Sequence, residues 1–137
     1  MKFIKGYPPN IEEIKQAGFK VDENSLFCWG EVTYIPSGKE IPIDIEYHEE
    51  IHAKQIAQFG SPELWWRKYI LDTDFRLAIE LEAYSEQYRF IRKTLSAKEA
   101  KMGLTELSEN LSSPQYNLGL TISQAETLIR KYGQDRI

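Results

Sequence analysis

The chain is poor in the residues that most often build a site. It has one cysteine, Cys28, and two histidines in 137 residues. A single cysteine excludes an internal disulfide and a cysteine-rich zinc site, and two histidines exclude a metal centre made of histidine alone. No apolar run approaches the ~20 residues that a membrane-spanning helix needs. Residues 1–9 carry charge but lack the apolar stretch of a secretory signal, so a cytoplasmic location is expected. Positive charge is also scarce: 17 Lys and Arg against 21 Asp and Glu leave a net charge of −4. Such a balance provides no global positive field, and no nucleic-acid partner is expected. Repeats and low-complexity tracts are absent as well.

The hydrophobic fraction of 42% and charged fraction of 28% fit one globular domain over residues 1–137. Asn10 reads as the cap of a short helix through Ile11, Ile14 and Ala17, which Gly18 ends. Residues 25–45 are rich in β-branched and aromatic side chains. Leu26, Phe27, Trp29, Val32, Tyr34 and Ile35 form one run, and Ile41, Ile43 and Ile45 a second. The turn signal Pro36-Ser37-Gly38-Lys39 between them predicts a hairpin, with Pro42 favouring an edge position for its second strand.

After Ile45 the period becomes helical. Ile45, His48, His52, Ile56 and Phe59 fall within about 60° of one another on a helical wheel. Gly60 ends that helix, and Ser61-Pro62-Glu63 opens the next. Asp72-Thr73-Asp74 breaks it and caps a longer helix to about Leu95. Ser96 with Glu99, and Ser123 with Glu126, have capping-box spacing and predict two further helices. Residues 112–119 read as a loop or weak strand, and the tail 134–137 is expected to fray.

The two histidines lie in His48-Glu49-Glu50-Ile51-His52, an H-E-x-x-H pattern on an expected helix. Side chains four residues apart share one face, so both imidazoles can reach one metal ion. Glu49, turned by about 100°, stands beside the ion, where it can accept a proton from water. A catalytic zinc site needs a third protein ligand, and with the histidines exhausted and Cys28 in the hairpin, a carboxylate is left. Leu77, Glu80, Tyr84, Gln87, Tyr88, Ile91 and Leu95 share one helical face about 100° wide. A carboxylate on such an apolar stripe is costly unless paired or metal-bound. Glu80 is therefore the expected ligand and Glu82, about 200° away, a solvated residue. The alternative for Glu80 is a buried ion pair with an arginine such as Arg76 or Arg130.

His48-Glu49-x-x-His52 followed by Glu80-Leu81-Glu82-Ala83-Tyr84 on a second helix resembles the gluzincin branch of the zincin metallopeptidases. Residues 25–95 carry the resemblance, and the chain is similar in length to minimal single-domain members, including small phage-type proteins. The resemblance implies Zn²⁺ held by His48, His52 and Glu80, with Glu49 as general base in peptide-bond hydrolysis of a peptide or protein substrate. Two positions depart from the family pattern. Glu50 stands where the family usually has an uncharged residue. Tyr84 replaces the aspartate that supports the first histidine in larger members.

Hydrolysis also needs a donor for the carbonyl oxygen as it gains charge, and Tyr84, Tyr88 and Arg76 are the candidates. The expected strand 41–45, leading into the metal helix, would offer an edge for an extended peptide. Trp65-Trp66-Arg67-Lys68-Tyr69 reads as core packing with solvated charges rather than a nucleic-acid platform. Cys28 reads as a small buried apolar residue. The last helix, with Ala125, Leu128, Ile129 and Tyr132, is expected to pack as a flap or to form an oligomer contact. Together these features describe an α+β, zincin-like minimal domain, with a small sheet packed on an active-site helix and a glutamate-bearing helix. The expected function is zinc-dependent peptide hydrolysis. The alternatives are a non-catalytic zinc module of a larger assembly and, behind it, a nucleic-acid-associated protein using the Trp-rich helix.

Overall fold

Pro42 decides how the β-rich part gives way to the helices. It has no amide hydrogen to give a sheet, and its carbonyl accepts from the amides of Ile45 and Glu46 (3.1 and 3.0 Å) as the N-cap of a helix. The computed structural model describes residues 1–135, and in it helix α2 begins at Ile43 and runs to Phe59. The expected second strand at residues 41–45 is therefore not formed, and Pro42 is a cap rather than an edge residue. The isoleucines at 41, 43 and 45 imitate a strand period. Asp44 and Glu46, however, favour the positive end of a helix, and Ile43 is 69% exposed, without a sheet face to bury it.

The hairpin lies earlier. Strands β2 (Phe27–Cys28) and β3 (Val32–Ile35) pair antiparallel, Phe27 opposite Tyr34 and Cys28 opposite Thr33. Trp29, Gly30 and Glu31 make the turn, closed by the Trp29 amide on the Val32 carbonyl (2.7 Å). Gly30 holds φ +82°, a conformation that favours glycine. A third strand, β1 (Lys2–Lys5), pairs in parallel with β3, so the order is β1-β3-β2. Between β1 and β2 lies the short helix α1 (Ile11–Gln16), which buries Ile14.

The remaining helices start and stop where local chemistry says they should, with one exception. Gly60 ends α2 in the left-handed conformation (φ +104°). The Ser61 hydroxyl accepts from the Leu64 amide at the start of α3 (Pro62–Leu71), a cap worth about 1 kcal/mol. Asp72 ends α3 and caps α4 (Thr73–Thr94), its carboxylate accepting from the Phe75 amide. Ser96 caps α5 (Ala97–Leu111) and its hydroxyl also donates to the Glu99 carboxylate. The exception is α6 (Ile122–Asp135). Its capping box is Thr121 with Gln124, not Ser123 with Glu126: the Thr121 amide donates to the Gln124 side chain (2.9 Å) and the Gln124 amide to the Thr121 hydroxyl (3.1 Å). Starting there puts Ala125 and Ile129, both fully buried, one turn apart on the inner face. Of the tail expected to fray, residues 134–135 continue α6, and 136–137 lie outside the described residues.

The result is a mostly helical α+β domain with a small mixed sheet. Helix α4 packs against α2, α3, α5 and α6. One core, around Leu104, Leu107, Leu111 and Ile129, lies among α4, α5 and α6. The other joins α1, β2, α2 and α3 through Ile14, Phe27, Ile56, Trp65 and Trp66, so both tryptophans are core residues. Phe59 and Leu95, expected on apolar stripes, are 41% and 45% exposed because each sits at its helix's end. Among the described residues no helix is long and apolar enough to cross a membrane. The α2–α4 contact, between the two cores, carries the site.

Candidate metal centre

Helix α2 presents His48 and His52 from successive turns of its buried face, and their Nε2 atoms are 3.1 Å apart. From α4, Glu80 brings Oε1 to 3.4 Å from His48 Nε2 and 3.2 Å from His52 Nε2. All three residues are at most 6% exposed. Glu80 Oε2 accepts a 2.5 Å hydrogen bond from the Tyr69 hydroxyl of α3, while buried Oε1 has no hydrogen-bond donor of its own.

The opposite sides of the two imidazoles are fixed by glutamines. His48 Nδ1 lies 2.9 Å from Gln87 Oε1, and the Gln87 amide nitrogen donates to Asp44 Oδ2 (2.8 Å). His52 Nδ1 lies 2.8 Å from Gln55 Oε1, and the Gln55 amide nitrogen donates to the Ile79 carbonyl (3.1 Å) and Glu82 Oε1 (2.9 Å). Acceptors on the far side orient both amides, so each amide oxygen faces a ring and each Nδ1 carries the hydrogen. Both Nε2 lone pairs are thereby aimed at the space that Glu80 Oε1 also faces.

Three acceptors converging on one point require a cation among them. In the metal-free protein that cation is a proton. Burial works against a charged His52, but Glu80 outweighs it and raises the His52 pKa to about 9. Burial likewise works against a charged Glu80, yet the charge of the neighbouring His52 holds its carboxyl well below the usual range. A metal fits the same place. Four-coordinate zinc with bonds of about 2.0–2.1 Å sets its ligand atoms about 3.3–3.4 Å apart, close to the triangle of 3.1, 3.2 and 3.4 Å seen here. Two imidazoles and a carboxylate also match zinc's preferred donors.

Glu49 is a second carboxylate at the centre: His48, His52 and Glu49 offer ligand atoms that all lie within 4.8 Å of one another. Its Oε2 stands 3.9 Å from His48 Nε2, farther than Glu80 Oε1 from either ring. Glu80 Oε1 is thus the nearer carboxylate oxygen to the two rings, with Glu49 beside it. Burial raises the pKa of Glu49, against the opposing pull of the two histidines. Glu82 is not a solvated residue: it is half-buried and holds Gln55, which lies alongside the α4 backbone at Ile79.

The candidate oxygen donors separate. The Tyr84 ring packs edge-on against His48 (centroids 4.4 Å apart), and its hydroxyl lies 2.6 Å from that of Tyr116. Burial holds the pKa of each phenol well above the ordinary value. Tyr88 packs instead into the α4–α5–α6 core with Arg92 over its ring. Arg76 is engaged throughout: it donates to the carbonyls of Tyr69, Ile70, Tyr116 and Asn117 and to the Thr73 hydroxyl. That set uses all five guanidinium hydrogens, so Arg76 neither pairs with Glu80 nor has a hydrogen for a substrate. Cys28, 3% exposed, has its pKa pushed up to about 12 by burial and by the charge of Glu49, which keeps it a thiol.

A cavity of about 300 Å³ borders the centre, lined by His48, Glu49, His52, Glu80, Tyr84 and Tyr116 among others, with exposed Lys20 and Asn24 at its rim. Gln55, Tyr69 and Tyr116 were not among the residues expected at the site. Gln55 carried a usable signal, a polar side chain one turn beyond His52 on the inner face. Tyr116 carried none, because it comes from the segment between α5 and α6. Comparison of the chain with protein-family models, with curated proteins and with solved structures found no match.

Proposed function

We propose that the protein is a zinc-dependent metallopeptidase, a zincin-like minimal domain of the gluzincin type that acts in the cytoplasm on a peptide or protein substrate. The observation that carries this reading is the convergence of His48 Nε2, His52 Nε2 and Glu80 Oε1 on one point with no donor between them. Zinc, when bound there, supplies a Lewis acid that polarises the scissile carbonyl and lowers the pKa of water from about 16 to about 7.

The other roles belong to the chain's own groups. Glu49, buried and close to His48 Nε2 without taking the nearest position, receives a proton from the attacking water and passes it to the leaving amine. The Tyr84 and Tyr116 hydroxyls, 2.6 Å apart, hold two hydrogens. One closes the bond between them, and the other is left to donate to the carbonyl oxygen as it gains charge. Tyr69 holds the second oxygen of Glu80 and so leaves Oε1 turned to the histidines.

A non-catalytic zinc module tying α2 to α4 is the second reading, favoured by the deep burial of all three ligands. The cavity and the buried general-base candidate favour the hydrolase. Glu49→Gln separates the two. The peptidase reading expects zinc content unchanged and cleavage of a broad peptide library reduced by about 10²–10⁴-fold. Wild-type protein that holds zinc yet cleaves nothing, or a variant as active as wild type, would go against it.

A further inference from the structure

Larger members of the family that this chain resembles have an aspartate where Tyr84 stands, but the Tyr84 hydroxyl pairs with that of Tyr116 while its ring packs against the His48 imidazole. The support for His48 comes from elsewhere. Gln87, seven residues beyond Glu80 on the same face of α4, accepts from His48 Nδ1 and is itself held by Asp44, one turn before His48 on α2. His52 ends a similar relay, with the glutamine on its own helix and the carboxylate on the other. Gln55 of α2 accepts from its Nδ1 and is held by Glu82 and the Ile79 carbonyl of α4. Each ligand histidine thus ends a chain of carboxylate, amide and imidazole; the chain to His48 crosses the α2–α4 contact twice and the chain to His52 once. Gln55 and Gln87 are 8% and 3% exposed, so water cannot readily replace either.

We propose that Gln55 and Gln87 are positioning residues of the metal centre. Each transmits the acceptor strength of a carboxylate (Glu82 or Asp44) to one imidazole, holds it as the Nδ1–H tautomer and keeps Nε2 directed at Glu80. The proposal rests on the His48–His52–Glu80 ligand set. A metal-binding histidine whose second nitrogen is so held is a better ligand, and loss of such a partner typically costs 10–100-fold in metal affinity. The amide is essential to the arrangement. It accepts from the ring and donates to the carboxylate, which neither a second carboxylate nor an apolar side chain does.

The test uses the full chain and zinc itself. Affinity is measured by competition with a chromophoric chelator, and ring tautomers by long-range ¹H–¹⁵N NMR, where two histidines give two ring systems and no others. Wild type should show hydrogen on Nδ1 of both rings in the zinc-loaded state. Gln87→Met and Gln55→Met should each weaken zinc about 10–100-fold, and each should alter the signals of its own histidine alone. Exchanging the polarity in Asp44→Asn/Gln87→Glu places a donor at 44 and an acceptor at 87, and should bring affinity back to within a few-fold of wild type. Met variants that bind zinc as tightly as wild type would overturn the proposal and leave the ligand set standing. So would rings carrying hydrogen on Nε2, or an exchanged variant that melts like wild type but stays as weak as Gln87→Met. Wild type that binds no zinc, or binds it undiminished after His48→Ala, would overturn the ligand set itself.

Discussion

The Nε2 atoms of His48 and His52 face each other at 3.1 Å, although two neutral imidazoles whose Nδ1 atoms carry the hydrogen repel in that arrangement. What allows the contact is a cation shared with Glu80. A proton and a metal compete for it, and several consequences follow from that competition.

Stability should depend on pH in opposite ways with and without metal. In the metal-free protein His52 is raised from 6.5 to about 9. Its contribution is complete below about 6.5 and is lost as pH rises through 9. Glu80, whose pKa is lowered, contributes above about 4.5, and that contribution disappears only in strong acid. Glu49, whose pKa is raised, adds to the loss as pH rises. The melting temperature of chelator-treated protein should therefore fall between pH 6.5 and 9. Zinc binding should release a proton and strengthen over the same window. At pH 7.5, free zinc at 100 times its dissociation constant should raise the melting temperature by roughly 10 °C. A flat metal-free profile would count against the shared-cation arrangement.

Ligand choice between the two glutamates of α4 is measurable. Glu80→Ala should weaken zinc by more than about 100-fold. Glu82→Ala should cost at most about 10-fold, because Gln55 keeps the Ile79 carbonyl as a partner. Chelator competition on both variants, side by side, reads the difference.

Tyr84→Phe and Tyr116→Phe should each lower kcat by about 10²-fold with zinc content unchanged. Since the pair has one hydrogen to offer, the double variant should be little worse than either single one. Steady-state kinetics on one cleaved peptide checks this.

Arg76→Ala should destabilise the fold by about 3 kcal/mol or more. It leaves the carbonyls of Tyr69, Ile70, Tyr116 and Asn117 without their donor. Urea unfolding at fixed zinc would measure the loss, and Arg76→Lys should recover only part of it, having fewer hydrogens to give.

The helix boundaries at Gly60, Ser61, Asp72 and Ser96 were legible because each rests on a local interaction among neighbours in sequence. So was the pair His48 and His52, which helical spacing alone aligns, and Glu80 stood out as a carboxylate on the apolar stripe of its own helix. Strand β1 was not: it pairs in parallel with β3, thirty residues away, and four residues show too little alternation to announce a strand. The isoleucines of 41–45 fitted two periods at once, and the missing amide of Pro42 decided between them. The Thr121 cap won over Ser123 because the buried pair Ala125 and Ile129 sets where α6 must begin. Tyr69, Gln55 and Tyr116 reach the site through packing of one helix or loop on another, which no spacing within one element records.

The most direct test of the metal centre is zinc X-ray absorption on the reconstituted full chain, with zinc content measured on the same sample. The arrangement of His48, His52 and Glu80 predicts one zinc per chain, with nitrogen and oxygen neighbours at about 2.0–2.2 Å and two imidazoles among them. A chain that retains no zinc, or a zinc with a sulfur neighbour at about 2.3 Å supplied by Cys28, would contradict it.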